Sequence, residues 1–164
     1  MAVTTIKGNL FDAPRGLIIH GCNAQGVMGS GVAVYVREKY PQAYKVYRNA
    51  HEAGTLKLGS STFIQVEEEL WIVNAVTQEF VGVGLQTDYK AIHKCFDFVN
   101  YLAEQLDGVG LYGNKPLPLN FPKIGAGRGG GDWNKIFDII CATVPITREM
   151  NLYVVDEEPI YISR

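Results

Sequence analysis

The sequence predicts a single three-layer α/β/α domain, in which helices cover both faces of a mixed, mostly parallel β-sheet. Short continuous apolar runs, typical of strands buried on both faces, alternate with segments whose apolar residues recur at helical spacing. Two early strands flank a short acidic turn, which predicts one antiparallel hairpin within the sheet. The 164 residues suit one domain without a linker or repeat, so we assign 1–164 to a single domain.

The first half of the chain gives the elements in order. Residues 3–6 are predicted as a strand, and the apolar run 17–19 as a second strand that is buried on both faces. Helical spacing predicts a helix over 32–40 and a second helical piece over 43–50. Pro41 separates the two helices because its ring cannot continue the first one.

The second half continues the alternation of strands and helices. Strands are predicted over 62–66 and 70–76, which form the hairpin, and later over 117–121 and 152–155. Apolar stripes at i, i+3, i+4 and i+7 predict helices that begin near residues 88 and 133. Alternating strands and helices of this kind pack as a sheet between two helical layers.

Composition and charge exclude several classes of protein. The formal net charge is −2, so binding to bulk nucleic acid is not expected. The three cysteines are far apart and form no C-x-x-C pair, which argues against a disulfide framework or a metal site and predicts a reducing, cytoplasmic location. No apolar run approaches the ~20 residues of a membrane span, and the first residues lack a signal-peptide pattern.

Two glycine-rich segments share one layout. Residues 17–31 and 120–133 each run from a buried strand through a glycine-rich turn to a helix. Glycine lets main-chain N–H groups point into one concavity, and the following helix N-terminus adds partial positive charge. Ligands of open α/β sheets bind beyond the carboxyl ends of the strands, where both segments are expected. The two segments therefore predict a site for a phosphate or diphosphate.

The glycine segments do not fit two common nucleotide motifs. The chain has no G-x-x-x-x-G-K-[ST] sequence, which makes a P-loop NTPase a poor match. The stretch Gly127-Arg128-Gly129 is not a full G-x-G-x-x-G, and no acidic residue follows at the spacing of a dinucleotide fold.

At this point the chain resembles a known family. Gly8-Asn9-Leu10, residues 20–33, Lys39-Tyr40-Pro41 and residues 122–133 are similar to the macro domain, in the branch linked to ADP-ribose-1''-phosphate processing. The resemblance spans nearly the whole chain and preserves the order of the motifs. It implies a mixed sheet between helices, with ADP-ribose in a surface cleft and no cofactor or metal.

The resemblance also implies which residues contact the ligand. The implied contacts are Asn9 and Leu10 at the adenine end, Cys22 and Asn23 near the distal ribose, and Gly29, Ser30, Gly31, Val32, Ala33, Ile124, Gly125, Ala126, Gly127, Arg128, Gly129 and Gly130 around the diphosphate and distal ribose. The family usually has Asp where Asn9 stands, to accept from the adenine amino group. Asn9 is expected to accept through its carbonyl oxygen instead. Arg128 is expected either to neutralise phosphate or to remain solvated.

Three residues are candidates for catalysis. His20 ends a buried strand, and a histidine of near-neutral pKa could activate a water or protonate a leaving oxygen. The alternative is a structural histidine in the core. Asp132 and Asp88 each stand before a helix, so each is expected either to cap that helix or to act as a base. The alternative for Cys22 is that it packs as a small residue and does not contact the ligand.

The branch of the family that removes ADP-ribose with a catalytic lysine matches less well. Its lysine would fall near Gln78 and its aspartate near Gly129, and neither side chain is present. The sequence therefore predicts a phosphatase that converts ADP-ribose-1''-phosphate to ADP-ribose and phosphate. Two alternatives stay open: a non-catalytic reader of ADP-ribose, and a hydrolase that removes ADP-ribose from proteins or O-acetyl-ADP-ribose. An ADP-ribosylated protein is thus a further expected partner.

Overall fold

The fold is known from a computed structural model, which describes residues 3–110, 113 and 115–155. Within these residues six strands form one sheet in the order β1-β6-β5-β2-β4-β3. The strands are β1 Val3–Lys7, β2 Gly16–Asn23, β3 Ser61–Glu67, β4 Leu70–Gln78, β5 Leu119–Phe121 and β6 Met150–Val154. All neighbouring pairs are parallel except β3 with β4, which confirms the predicted mixed, mostly parallel sheet.

Four α-helices pack on the two faces of the sheet, and all four were predicted. They are α1 Val32–Lys39, α2 Pro41–Glu52, α3 Tyr89–Gly108 and α4 Trp133–Thr143. One core joins α3 and α4 to the sheet through Leu17 and Ile19, and a second core joins α1 and α2 through Ile18. The run 17–19 is continuously apolar because alternate side chains enter different cores.

Three local features depart from the sequence prediction. Strand β2 continues to Asn23, into the predicted loop, because β4 pairs with it along its whole length. Strand β5 is shorter than predicted because it lies between Pro118 and Pro122, which have no N–H to donate to a neighbouring strand. A 3₁₀ turn over Leu10–Asp12, which was not predicted, follows β1.

The parallel strands bring one end of the sheet together. Strands β1, β6, β5, β2 and β4 all run in the same direction, so the segments that follow them meet at one edge, which we call the carboxyl edge. No helix in the described ranges is long and apolar enough to cross a membrane.

Candidate functional site at the carboxyl edge

The two glycine-rich segments lie side by side at the carboxyl edge. Loop 1 (residues 23–31) follows β2, and loop 2 (residues 122–132) follows β5, the neighbouring strand. Adjacent strands are about 4.8 Å apart, so the two loops begin within a few ångströms of each other. Both loops lie beyond the carboxyl ends of their strands, as the sequence predicts.

Asn23 shapes loop 1 from within. Its Oδ1 accepts from the main-chain N–H groups of Gln25 (3.0 Å) and Val27 (3.3 Å), and its Nδ2 donates to the carbonyl of Val27 (2.8 Å). The buried Tyr47 hydroxyl of α2 donates toward the carbonyl oxygen of Asn23 at 2.6 Å. The side chain that the family resemblance assigns to ligand binding is therefore also the one that folds the loop.

Helix α2 supports loop 1 at a second point. The Arg48 Nη1 donates to the carbonyl of Gly26 at 2.9 Å. Gly26 has φ +81°, and a Cβ there would lie 2.6 Å from the ring of His51, so only glycine fits beneath this helix. Tyr47 and Arg48 thus fix the start of loop 1 from the α2 side.

The far half of loop 1 presents main-chain donors. Within the described residues, the N–H groups of Gly29, Ser30 and Gly31 have no hydrogen-bond partner. Gly31 is the N-cap of α1 and no side chain caps the helix, so the first-turn N–H groups of Val32 and Ala33 are not taken by a cap. These donors and the positive end of α1 suit an anion.

Loop 2 presents a matching set of donors. The N–H groups of Gly127, Arg128 and Gly129 have no hydrogen-bond partner in the part of the chain that the structure describes. The loop is held by a bond from the N–H of Gly131 to the carbonyl of Gly125 at 2.9 Å. Arg128 is exposed, so its guanidinium is accessible to an anionic ligand. Consecutive main-chain donors without partners suit an anion.

A third segment, residues 79–87, connects the two loops and is named here the bridging segment. Gln25 of loop 1 accepts from the main-chain N–H of Val81 at 2.8 Å. The N–H groups of Gln86 and Thr87 both donate to the carbonyl of Gly129 in loop 2, at 2.8 and 3.0 Å. The Thr87 hydroxyl donates to the carbonyl of Gly125 at 2.7 Å. The bridging segment therefore couples loop 1 to loop 2.

The bridging segment carries an exposed apolar surface. Phe80, Val81, Val83 and Leu85 are between 55% and 94% exposed, and Val27 of loop 1 is 48% exposed. Exposed apolar groups collected at one site commonly mark contact with another molecule. We call these five side chains the apolar rim.

His20 lies inside the fold. Its side chain is 1% exposed, and its Nε2 lies 2.6 Å from Oδ1 of Asn74 on β4. The Asn74 Nδ2 donates to the carbonyl of Ala43 and to the Thr62 hydroxyl, both at 3.0 Å, so Oδ1 must accept and Nε2 of His20 must carry the proton. Burial lowers the pKa of His20 to about 4, although the bond to Asn74 opposes the shift. This placement favours the structural alternative for His20.

The Cys22 thiol is also buried. Its Sγ lies 3.8 Å from the His20 ring nitrogens, and the residue is 4% exposed in the core beneath α1 and α2. Burial raises the pKa of the Cys22 thiol well above its usual value. Leu10 and Ile124 are buried as well, so these predicted contacts could reach a ligand through their main chain.

The two candidate aspartates both cap helices. Asp88 accepts from the N–H of Ala91 at 2.9 Å at the start of α3, and Asp132 accepts from the N–H of Asn134 at 3.0 Å at the start of α4. Both predicted N-caps are confirmed. Asp132 is exposed at the end of loop 2, and its second carboxylate oxygen accepts no hydrogen bond among the described residues.

The two positions compared with the lysine-dependent branch are neighbours in space. A Cβ built on Gly129 would lie 3.2 Å from Oε1 of Gln78. The Gln78 Nε2 donates to the carbonyl of Phe80 at 2.7 Å, so this side chain holds the start of the bridging segment. Where the lysine-dependent branch has its lysine and aspartate, this chain therefore has Gln78 and Gly129.

Sequence reasoning missed the supports of the site. Tyr47, Arg48, Gln25 and Thr87 hold the loops, and the bridging segment was not identified. One signal was available, because the exposed run Phe-Val-Gly-Val-Gly-Leu at 80–85 combines apolar residues with glycines directly after a buried strand. The other four residues lie in ordinary helical or loop contexts.

Comparisons with known proteins agree with this fold. The family model described as Macro domain matches residues 19–140. The ADP-ribose 1''-phosphate phosphatase of Lodderomyces elongisporus is 27% identical over 166 residues, which cover 95% of this chain and 100% of that protein. The phosphatase of the same name from Ajellomyces capsulatus is 52% identical over 48 residues, but these span only 29% of this chain and 19% of that relative.

Another relative has a different activity. The DNA ADP-ribosyl glycohydrolase of Thermus aquaticus is 37% identical over 143 residues, which cover 80% of this chain and 34% of that protein. Among solved structures, a macrodomain protein from Streptomyces coelicolor superposes with a TM-score of 0.76 at 25% identity, covering 93% of this chain and 98% of that one. Thermosipho africanus DarTG in complex with ADP-ribose has a TM-score of 0.75 at 20% identity, and the match covers 95% of this chain and 42% of that one.

Proposed function

The chain belongs to the macro domain family, and from this premise we propose that it binds ADP-ribose and hydrolyses ADP-ribose-1''-phosphate to ADP-ribose and phosphate. The observation that carries the proposal is that both glycine-rich loops have main-chain N–H groups without partners among the described residues, at Gly29, Ser30 and Gly31 in loop 1 and at Gly127, Arg128 and Gly129 in loop 2. Two adjacent sets of fixed donors suit two linked phosphates better than one. The proposed reaction is that of the relatives named ADP-ribose 1''-phosphate phosphatase.

In this proposal the loops provide most of the binding and part of the catalysis. Donors that are held in place before the reaction stabilise negative charge as it develops on the phosphate oxygens, without the cost of reorienting water. The bonds that fix loop 2, from Thr87 to Gly125 and from Gln86 to Gly129, keep these donors in position.

Asp132 is the proposed proton acceptor. Its carboxylate is exposed beside loop 2 and has one oxygen without a hydrogen bond in the described structure. In hydrolysis, water forms a bond to phosphorus, the bond from phosphorus to the ribose oxygen breaks, and that oxygen gains a proton. A carboxylate that removes the proton of the attacking water speeds such a step by 10²–10⁴-fold.

Two other candidates receive structural roles in the proposal. His20 is buried and neutral, and its N–H is already donated to Asn74, so it supports the sheet beneath the site. Asp88 caps α3 and orders the end of the bridging segment. Two of the free cysteines, Cys22 and Cys95, are buried, which suits a proposed location in the reducing cytoplasm.

The test measures phosphate release from ADP-ribose-1''-phosphate by the wild type, Asp132→Asn and Asp88→Asn. Asparagine caps helices as well as aspartate does, so both variants are expected to fold. Asp132→Asn should lower kcat about 100-fold with little change in KM, whereas Asp88→Asn should stay within about twofold of the wild type. Equal activity of all three proteins would remove Asp132 from the mechanism. Binding of ADP-ribose without any phosphate release would mean that the chain is a non-catalytic reader of ADP-ribose.

A second candidate function is the removal of ADP-ribose from a macromolecule. The apolar rim favours it, because five exposed apolar side chains have no evident use for a small substrate that is ADP-ribose with one added phosphate. The Thermus aquaticus glycohydrolase gives the reaction class. The same preparations should be offered ADP-ribosylated DNA and ADP-ribosylated protein. Release of ADP-ribose from either, without phosphate release from the small substrate, would favour this candidate.

A further inference from the structure

Tyr47 of α2 extends from the core to the start of loop 1. Its side chain is buried, and its hydroxyl lies 2.6 Å from the carbonyl oxygen of Asn23 and 3.0 Å from Asn23 Oδ1. Burial raises the pKa of this hydroxyl, so it stays protonated and acts as a donor at neutral pH. One phenol donor thus faces both oxygens of the residue at which loop 1 begins.

Helix α2 is itself hydrogen-bonded to the sheet, which makes Tyr47 a firm support. The Nδ2 of Asn74 on β4 donates to the carbonyl of Ala43 at 3.0 Å. Ala43 precedes Tyr47 by about one turn of α2. Asn74 is buried and accepts from His20 through its oxygen. The polar cluster in the core therefore fixes the helix from which Tyr47 contacts loop 1.

The supported part of loop 1 leads directly into its free donors. Met28 is 1% exposed and belongs to the same core cluster as Tyr47. The main-chain N–H groups without partners among the described residues follow at once, at residues 29–31. Loop 1 is thus anchored at Asn23 and at Met28, and the positions of these anchors determine where the donors point.

We infer that Tyr47 is a positioning residue for ligand binding, because its hydroxyl keeps loop 1 in the arrangement that presents these N–H groups to a diphosphate. The inference rests on the proposed binding of ADP-ribose and names a residue outside the loops on which that binding depends. Without the hydroxyl, the Asn23 carbonyl loses its hydrogen bond to α2, and loop 1 samples arrangements that do not bind. The apparent Kd then rises by the factor by which the binding-competent fraction falls.

Tyr40 provides a matched control. Its ring is 5% exposed, and its hydroxyl donates to Oε2 of Glu67 at 2.9 Å. Glu67 ends β3, which is antiparallel to β4, and it pairs with Leu70 at the start of β4. This hydroxyl therefore lies at the end of the sheet opposite the carboxyl edge. Tyr40→Phe removes one tyrosine hydrogen bond, as Tyr47→Phe does, but leaves the contacts of loop 1 in place.

The test combines calorimetric titration with ADP-ribose and urea unfolding for the wild type, Tyr47→Phe and Tyr40→Phe. Phenylalanine keeps each ring in the core, so both variants are expected to fold, and circular dichroism checks this. Tyr47→Phe should raise the Kd about fivefold or more, whereas Tyr40→Phe should stay within about twofold of the wild type. The urea midpoint should fall in both variants, because each loses one hydrogen bond.

The possible results separate the inference from the proposed function. If the wild type binds ADP-ribose and Tyr47→Phe binds it equally well, Tyr47 does not position loop 1 and the proposed binding stands. If both variants lose affinity equally, the cause is general loss of stability, and the inference is again wrong. If the wild type does not bind ADP-ribose, the proposed function fails, and the inference that depends on it fails as well.

Discussion

At the scale of single residues, His20 shows how the fold determines the chemistry of a side chain. An imidazole in water has a pKa near 6.5, but the proton that would charge it has no stabilising partner in the core, and burial lowers the pKa to about 4. Asn74 accepts from the neutral ring, and its own amide group is satisfied by Ala43 and Thr62. The result is a neutral polar cluster beneath the site.

This cluster predicts a pH dependence of stability. The folded pKa of His20 is depressed, so between pH 6.5 and 4 the unfolded chain binds a proton that the folded chain does not. The contribution of His20 is therefore complete above pH 6.5 and declines as the pH falls, by up to about 1.4 kcal/mol per pH unit. Urea unfolding at several pH values should show this slope in the wild type. His20→Asn should show a smaller change of unfolding free energy with pH. Equal slopes in the two proteins would show that His20 is not the cause.

At the scale of elements, loop 2 depends on the close approach of the bridging segment. A Cβ on Gly129 would collide with the Thr87 hydroxyl and lie 2.8 Å from the carbonyl oxygen of Gly125. The Gly125 carbonyl accepts from the Thr87 hydroxyl and from the N–H of Gly131. The absence of a Cβ at Gly129 leaves room for these hydrogen bonds. Gly127 in the same loop has no atom within 4 Å of the corresponding position.

The two glycines form a matched pair for mutagenesis. Gly129→Ala is expected to lower the free energy of unfolding by about 1–3 kcal/mol, because the methyl group forces the loop and the bridging segment apart. Gly127→Ala should change it by less than about 0.5 kcal/mol, because its methyl group meets open space. Chemical denaturation of both variants and the wild type measures the difference. Equal loss in the two variants would mean that the packing around Gly129 is not the cause.

At the scale of the whole molecule, the site is assembled from segments that are far apart in sequence. Loop 1, loop 2 and the bridging segment meet because β2, β5 and β4 run parallel and end at one edge. Gln25 joins loop 1 to the bridging segment, and Gly129 joins the bridging segment to loop 2. A ligand that orders one loop should therefore order all three segments.

Hydrogen exchange tests this coupling. With ADP-ribose at about 100 times its Kd, amides of residues 23–31, 79–87 and 125–131 should exchange at least about tenfold more slowly. The middle of α3, which is packed in the core, serves as the internal reference and should not change. Protection confined to one loop would show that the bridging segment does not transmit the effect of the ligand.

The order and type of the helices and strands, and the position of both glycine-rich loops, could be predicted from the sequence. These features depend on local spacing. Residues 17–19 are apolar because both faces are covered, and the stripe of α3 recurs with the helical period. The N-caps Asp88 and Asp132 were predictable for the same reason, since a cap bonds to a residue two or three positions away.

What those residues do depends on how distant parts of the chain pack together. Asn74 lies 54 positions from His20, and Val81 lies 56 positions from Gln25, so the register of the sheet and the path of the bridging segment bring them together. Burial then made His20 neutral. Asn9 is a contrasting case, because its partner Phe11 is only two residues away and the hydrogen bond between them is local. The sequence shows which side chains are present, but their burial and their hydrogen-bond partners follow from the packed fold.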